Sequence, residues 1–440
     1  MKLEAFDWPN CTVLVGGYGR AGSGAGQLLV SLGATVFVYD DSPNLLINSP
    51  LERISGGAEL LETIALVDLI VVSPGISPGH EIFSRPDKVV SELAFARSLI
   101  DAPIAAITGT NGKTTVSTLV TEMLKNSGRT AIAAGNIGTS LSSVALTKPD
   151  VFVLEASSFQ LAFTPCLNAH SAAFLNFSPD HLDWHPSLEH YFDSKLNVAN
   201  GMSQNACVYV PLGEPLIKKS LEERGGHPCV IPNAKTLIVG GEVVINGQVV
   251  AAVSQLHRKF RHDLENFMFA GSVAMEFGVK AEAIEEVLSG FTGLAHRMEL
   301  VGEYNGRVIY NDSKATTPDA VLCDLESLSS VVLIAGGRNK GLDLTSLIGL
   351  SNKLRHVIGI GESGREICAV FADTDVPTTP ASSMAEAVQV AFSSAKRFDA
   401  IVLSPGCTSW DWYASYEDRG TEFVECVKRF VPILLSDCDE

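Results

Sequence analysis

Ile104-Ala105-Ala106-Ile107-Thr108-Gly109-Thr110-Asn111-Gly112-Lys113-Thr114-Thr115 decides how this 440-residue chain is read. Four apolar residues predict a buried strand, the glycines a tight loop, and Val116–Lys125 the helix that follows. Phosphate groups need such a turn, because glycines let backbone N–H groups close around the oxygens and a helix N-terminus adds partial positive charge. Lys113 can reach terminal phosphates, and the Thr114 hydroxyl suits Mg²⁺. Gly109 to Thr114 is two residues shorter than the common G-x-x-x-x-G-K-[ST] loop, so the chemistry matches while the spacing departs.

Outward from this loop, strand and helix signals alternate. Thr12–Val15, Thr35–Tyr39 and Asp68–Val72 predict strands before it; Thr130–Ala134, Val151–Glu155 and Ser171–Phe177 follow. Glu242–Val250 predicts a hairpin turning at Asn246-Gly247, a pair that tolerates the positive φ angles of a type I′ turn. Arg307–Tyr310, Val331–Ala335, Val357–Ile360 and Ala400–Leu403 make a last series. Strands separated by helical segments predict parallel sheets with right-handed crossovers. Asp101-Ala102-Pro103, after a predicted helix over Ser91–Ile100, marks a domain boundary.

A second glycine cluster, Gly17-Tyr18-Gly19-Arg20-Ala21-Gly22, fits G-x-G-x-x-G after a strand, with Asp40 about 20 residues on. Alone it suits NAD as well as the diphosphate of UDP, which keeps a dinucleotide-dependent oxidoreductase open as a rival reading. Glu155 and Asn176 fall at or near strand ends, followed by Asp180-His181-Leu182-Asp183. Ligands of open α/β sheets sit beyond strand C-termini, so Glu155 and His181 are expected beside the phosphate loop, Glu155 as a natural Mg²⁺ ligand. The last third carries His296-Arg297, then Asn311-Asp312-Ser313-Lys314-Ala315-Thr316, Gly336-Gly337-Arg338-Asn339-Lys340 and Ser404-Pro405-Gly406-Cys407. Loops combining Gly, Lys and Ser after strands point to ligand binding.

The bulk numbers bound the partners. With 46% hydrophobic and 19% charged residues the chain can bury several cores. A formal charge of −18 repels nucleic acid, so no polynucleotide partner is expected. The acidic start lacks the basic and apolar regions of a secretory leader, and no run of about 18 uncharged apolar residues would span a membrane, so a cytoplasmic location is expected. Nine cysteines without a C-x-x-C pair are read as reduced core thiols.

Together these motifs resemble the Mur ligase family across essentially the whole chain. The resemblance implies an α/β protein of three domains: a Rossmann-like UDP-substrate domain over 1–100, a P-loop ATPase-like domain over 101–297 and a Rossmann-like amino-acid domain over 298–440. Leu154–Leu161, Asn311–Thr316 and Ser404–Cys407 leading to Glu417-Asp418-Arg419-Gly420 resemble the branch that adds D-glutamate to UDP-N-acetylmuramoyl-L-alanine with ATP. A sibling branch or a folylpolyglutamate-type ligase is the nearest alternative.

The resemblance places Gly109, Thr110, Asn111, Gly112, Lys113, Thr114 and Thr115 on the ATP phosphates, and Thr114, Glu155 and His181 around two Mg²⁺ ions. It puts a carbamylated lysine at Lys195, Asn266 and Arg297 around adenine, and Asp312 on the ribose. Gly17, Gly19, Arg20, Ala21, Gly75 and Asn136 fall to the UDP-substrate; Lys314, Thr316, Lys340, Ser409 and Tyr416 to D-glutamate or its reaction partner. A monomer is expected. Two positions depart from the family: Asp41-Ser42 stands where Thr-Arg is common, which leaves Arg20 as the cation for the diphosphate, and Asn339 replaces a common acid before Lys340.

Overall fold

A computed structural model describes residues 3, 6–47, 49–397 and 399–436, and the chain divides into two compact units. The first takes in the chain up to Phe177, His181–Leu256 and Glu265–Gly290; the second takes in Ser178–Asp180, His257–Leu264 and the chain from Phe291 onward.

The first unit holds two parallel sheets. One runs Glu52–Arg53, Thr35–Tyr39, Thr12–Gly16, Leu69–Val72, Val89–Ser91. The other runs His227–Ile231, Cys207–Pro211, Ser171–Phe174, Ile104–Thr108, Val151–Glu155, Ala131–Gly135. In both, the strand that feeds a glycine loop has a neighbour on each side, so the loop opens at the point where strand order reverses. Strand Ile104–Thr108 is buried along its whole length, as a strand covered by helices on both faces must be. Each fully buried Val, Leu, Ile or Phe of these sheets contributes about 1.5–3 kcal/mol, and Val13, Val15, Ile104, Phe152, Leu154 and Phe174 are all sealed from solvent. A small antiparallel sheet, Leu237–Val239, Glu242–Ile245, Gln248–Ala252, carries the predicted hairpin. Asn246 and Gly247 both take positive φ, at 50° and 78°.

The second unit has one six-stranded sheet: Glu299–Tyr304, Arg307–Asn311, Ala400–Leu403, Val331–Gly336, Leu354–Ile360, Thr378–Pro380. Its first strand is antiparallel to the next and the rest are parallel. Mixed α/β architecture with parallel sheets is therefore what the alternation predicted. No helix among the described residues is long and apolar enough to cross a membrane.

Some local expectations change. The strand from Ser171 stops at Phe174, not Phe177, which frees Leu175 to Phe177 for a loop. The helix after the phosphate loop starts at Lys113 rather than Val116, so Thr114 and Thr115 lie in its first turn. Ser91 caps a helix over Glu92–Arg97 instead of beginning a longer one, its hydroxyl accepting from the Ala94 N–H. Cys207 and Cys229 lie on paired strands, two residues out of register, with Cα atoms 5.7 Å apart, and are linked, a correction to the reading of nine reduced thiols. Their separation of 22 residues gave no signal of it.

Candidate active site

The phosphate loop is built by backbone conformations that side chains resist. Gly109 and Gly112 take φ of 147° and 82°, and a Cβ on Gly112 would meet Asn266 Oδ1 at 2.7 Å. The Asn266 amide thus lies against the loop, on a helix over Arg261–Glu276. From the loop after the neighbouring strand Ser171–Phe174 comes Asn176: its backbone C=O accepts from Thr110 N–H at 3.1 Å and its side-chain Oδ1 from Asn111 N–H at 2.8 Å. The sequence marks Asn176 only as a residue near a strand end; its part in shaping the loop is visible in the tertiary structure alone.

Two lysines converge on one carbonyl. Lys113 Nζ donates to Gly109 O and Thr110 O, both at 2.8 Å, and Lys195 Nζ donates to Gly109 O at 2.7 Å. Lys195 is 1% exposed, its ammonium 4.6 Å above the Tyr191 ring, and the Tyr191 hydroxyl is 3.0 Å from Thr110 Oγ1. A helical lysine that the sequence would place in solvent is therefore buried at the loop.

Glu155 ends the strand beside Ile104–Thr108, in register with Ile107, and is 2% exposed. Its Oε1 accepts from Asn136 Nδ2 at 2.7 Å, while Oε2 is buried with no hydrogen-bond partner among the described residues. An unpaired buried carboxylate oxygen costs about 1–3 kcal/mol or more, a cost that a hard cation would relieve. Glu155 Oε2, with the Thr114 hydroxyl in the adjacent first helical turn, is oxygen chemistry that fits Mg²⁺. His181 adopts φ 56°, and its ring packs 4.6 Å from Phe159 and 5.9 Å from Tyr191. Below it lies His185, which the sequence did not single out: Nδ1 is 2.8 Å from His190 Nδ1 and Nε2 is 2.9 Å from Ser158 Oγ. Burial, then the neighbouring His190, His181 and Lys195, depresses His185 from 6.5 to about 3, so it is a neutral ring.

The first glycine loop borders a cavity of about 340 Å³ lined by Gly17, Gly19, Arg20, Ala21, Ser73 and Gly75, among others, within the usual range of small-molecule sites. A Cβ on Gly22 would stand 1.8 Å from Gly17 O, whereas one on Gly19 would meet nothing within 4 Å. Gly22 therefore serves close packing and Gly19 keeps the cavity open. Asp40 Oδ2 accepts from Tyr18 N–H at 2.6 Å and Oδ1 from Ser42 N–H at 2.8 Å. One oxygen holds the glycine loop's backbone and the other the turn after Asp40 itself, which counts against Asp40 as the ribose ligand of a dinucleotide fold. Arg20 Nη1 donates to Gly138 O at 2.5 Å, in the segment after Asn136.

In the second unit, the predicted loops gather at the ends of three adjacent strands. Asp312 is buried, Oδ1 accepting from Met298 N–H at 3.1 Å and Oδ2 from Ser404 Oγ at 2.7 Å; burial raises it to about 6. Arg297 lies close enough to oppose that shift. Lys314 Nζ stands 4.8 Å over the Tyr416 ring and Lys340 Nζ 5.1 Å over Trp410. Ser409 is buried and Thr316 half-buried on the same set of loops. The residue without an assigned role is Arg419, 1% exposed. It donates to Ser313 Oγ and O at 3.0 and 2.8 Å and to Cys407 O at 3.1 Å, tying the Asn311–Thr316 loop to the Ser404–Cys407 loop. Gly420 beside it lets His296 close in: a Cβ there would lie 2.2 Å from His296 Nδ1.

Comparison with known proteins agrees with this geometry. The profile of the Mur ligase middle domain matches residues 107–233, and that of the Mur ligase glutamate ligase domain matches 296–407. The chain is 34% identical over 439 residues to UDP-N-acetylmuramoylalanine–D-glutamate ligase of Caldanaerobacter subterraneus subsp. tengcongensis, covering 94% of this chain and 97% of that one. It is 36% identical over 431 residues to the Aquifex aeolicus protein of the same name, at 94% and 98% coverage. A MurF ligase from Thermotoga maritima, solved in complex with ADP, shares the fold at a TM-score of 0.62 and 14% identity, over 98% of this chain and 99% of that one. On these full-length matches, with the phosphate loop and Glu155 in place, the chain belongs to the Mur ligase family.

Proposed function

We propose that this protein joins D-glutamate to UDP-N-acetylmuramoyl-L-alanine at the expense of ATP, in peptidoglycan synthesis in the cytoplasm. The observation that carries the ATP-dependent part is the buried Glu155 Oε2, without a partner among the described residues, beside a glycine–lysine phosphate loop. The choice of substrates follows full-length relatives of that name.

A carboxylate does not acylate an amine at neutral pH, because its oxygen leaves poorly. Transfer of the γ-phosphoryl group to the alanyl carboxylate gives an acyl phosphate and ADP. The D-glutamate amine then attacks the carbonyl carbon, loses its proton, and the tetrahedral intermediate expels inorganic phosphate. Residues Gly109, Thr110, Asn111, Gly112 and Thr115 would position the triphosphate through backbone donors, and Lys113 would neutralise charge on the transferring group. Thr114, Glu155, His181 and a carbamate on Lys195 would hold two Mg²⁺, which supply further charge neutralisation. Asn266 and Arg297 would flank adenine and Asp312 the ribose. Arg20 and the Gly17, Gly19, Ala21 and Gly75 backbone would take the diphosphate, with Asn136 nearby. Lys314, Thr316, Lys340, Ser409 and Tyr416 would hold the amino acid, all five of them hydrogen-bond donors and none acidic, as two carboxylates require. The three larger sheets would then mark domains over 1–100, 101–297 and 298–440 of a monomer.

Carbamylation of Lys195 has support in the geometry. Two ammonium groups on the Gly109 carbonyl repel each other, and CO₂ converts one into a carboxylate. Lys195→Ala is expected to lose nearly all turnover and to regain part of it with added acetate. Full activity without additive, or rescue by small amines, would refute the carbamate. Phosphate release should require ATP, UDP-N-acetylmuramoyl-L-alanine and D-glutamate together; efficient use of L-lysine or diaminopimelate would move the protein to a sibling branch.

A further inference from the structure

Away from the phosphate loop, three side chains of different chemistry meet in the second unit. His262 stands in the first turn of the helix over Arg261–Glu276, and Cys323 and Asp324 in the last turn of the helix over Pro318–Leu325. One ligand atom from each lies within 4.8 Å of the other two. We infer that His262, Cys323 and Asp324 form a binding site for a thiophilic divalent cation of the zinc type, which clips the segment 257–264 to the helix over Pro318–Leu325.

The distances favour this over a chance grouping of polar groups. His262 Nδ1 and Asp324 Oδ1 are already 3.4 Å apart, about the span of two ligands bound tetrahedrally at roughly 2.0–2.1 Å from zinc. Cys323 is exposed, so only its thiol must swing inward, and solvent can take the fourth position. An imidazole, a thiolate and one carboxylate suit zinc or cobalt and are a poor set for Mg²⁺.

A second observation concerns the far side of the histidine. Its Nε2 faces Asp263 Oδ1 at 3.6 Å, and Asp263 is itself held by Arg258 through Nε at 2.9 Å and Nη2 at 3.2 Å. Both members of that pair are buried. At 3.6 Å the approach of Asp263 to His262 is an electrostatic contact longer than a hydrogen bond; a carboxylate on the Nε2 side favours the proton there and leaves Nδ1, the nitrogen 3.4 Å from Asp324 Oδ1, for an ion. The Phe260 ring, stacked on His262 at 5.6 Å with an interplanar angle of 11°, limits rotation further.

Cobalt is the probe, since a Cys–Co²⁺ bond gives a sulfur-to-metal charge-transfer band in the near ultraviolet. Titration of the EDTA-treated, desalted full chain is expected to raise this band to saturation at one equivalent, and Zn²⁺ to abolish it by displacement. Cys323→Ser should remove the band while Cys166→Ser, at another exposed thiol, leaves it. Asp263→Asn, which does not touch the ion, should weaken binding by about 10–100-fold. Zn²⁺ should also protect Cys323 from alkylation, read peptide by peptide. A band that survives Cys323→Ser, saturation without any thiolate band, or unprotected Cys323 would overturn the assignment.

Discussion

Replacing Glu155 with Gln separates stability from catalysis, because the two should move in opposite directions. The carboxylate is 2% exposed; one oxygen takes the Asn136 amide at 2.7 Å and the other has no partner among the described residues. Glutamine keeps the shape and the bond to Asn136 while removing a buried negative charge. Leaving a buried polar group unpaired costs about 1–3 kcal/mol, and more for an ion; the glutamine amide stays unpaired but carries no charge, so the metal-free variant should gain only the ionic excess of that cost. Turnover should fall about 10²–10³-fold, or roughly 3–4 kcal/mol of transition-state stabilisation, if that oxygen serves a cation at the transferring phosphate. Thermal melts in EDTA and with MgATP, beside phosphate-release kinetics, read both effects. The wild type should melt higher with MgATP and the variant should respond much less. A variant that melts lower in EDTA, or turns over normally with an unchanged Mg²⁺ requirement, would show that Oε2 is satisfied in some other way and that Glu155 holds no cation.

Two glycines of the first loop should behave differently although the motif treats them alike. Gly19→Ala should leave the melting temperature unchanged and raise KM for the UDP-substrate several-fold, since its Cβ enters open cavity. Gly22→Ala should destabilise the protein strongly, because backbone stands 1.8 Å from the new carbon; equal effects would refute the division of labour. His185 bears on acid stability. Its folded value of about 3 lies below its ordinary 6.5, so its contribution is present above pH 6.5 and is lost as pH falls toward 3. The limiting slope is about 1.4 kcal/mol per pH unit. His185→Gln should flatten the melting-temperature profile between pH 6 and pH 4, and an unchanged profile would mean the ring is not held neutral.

Much of the architecture was legible because the signals are local. A buried strand reads as an apolar run, and Asn246-Gly247 reads as a turn because few residues tolerate two successive positive φ angles. The phosphate loop is equally local, since strand, glycines, lysine and helix lie within about a dozen residues. Strands such as His227–Ile231 escaped notice because that segment is half-exposed and begins His-Pro, outside the apolar pattern.

The sequence by itself therefore determined the sheet-forming segments, the two glycine loops and the acids and lysines at strand ends. Resemblance extended that to Lys195, which no periodicity would distinguish from a solvated helical charge. Only the tertiary structure decided which groups lose their water and which partners they then find. It buried Lys195 against Gly109 O, left Glu155 Oε2 without a partner among the described residues, turned the oxygens of Asp40 onto the backbone of Tyr18 and Ser42, and made Arg419 the tie between two loops. It also brought His262 to Cys323 and Asp324 across about sixty residues. Hydrogen-bond satisfaction and desolvation depend on neighbours distant in the chain, and a linear pattern carries neither.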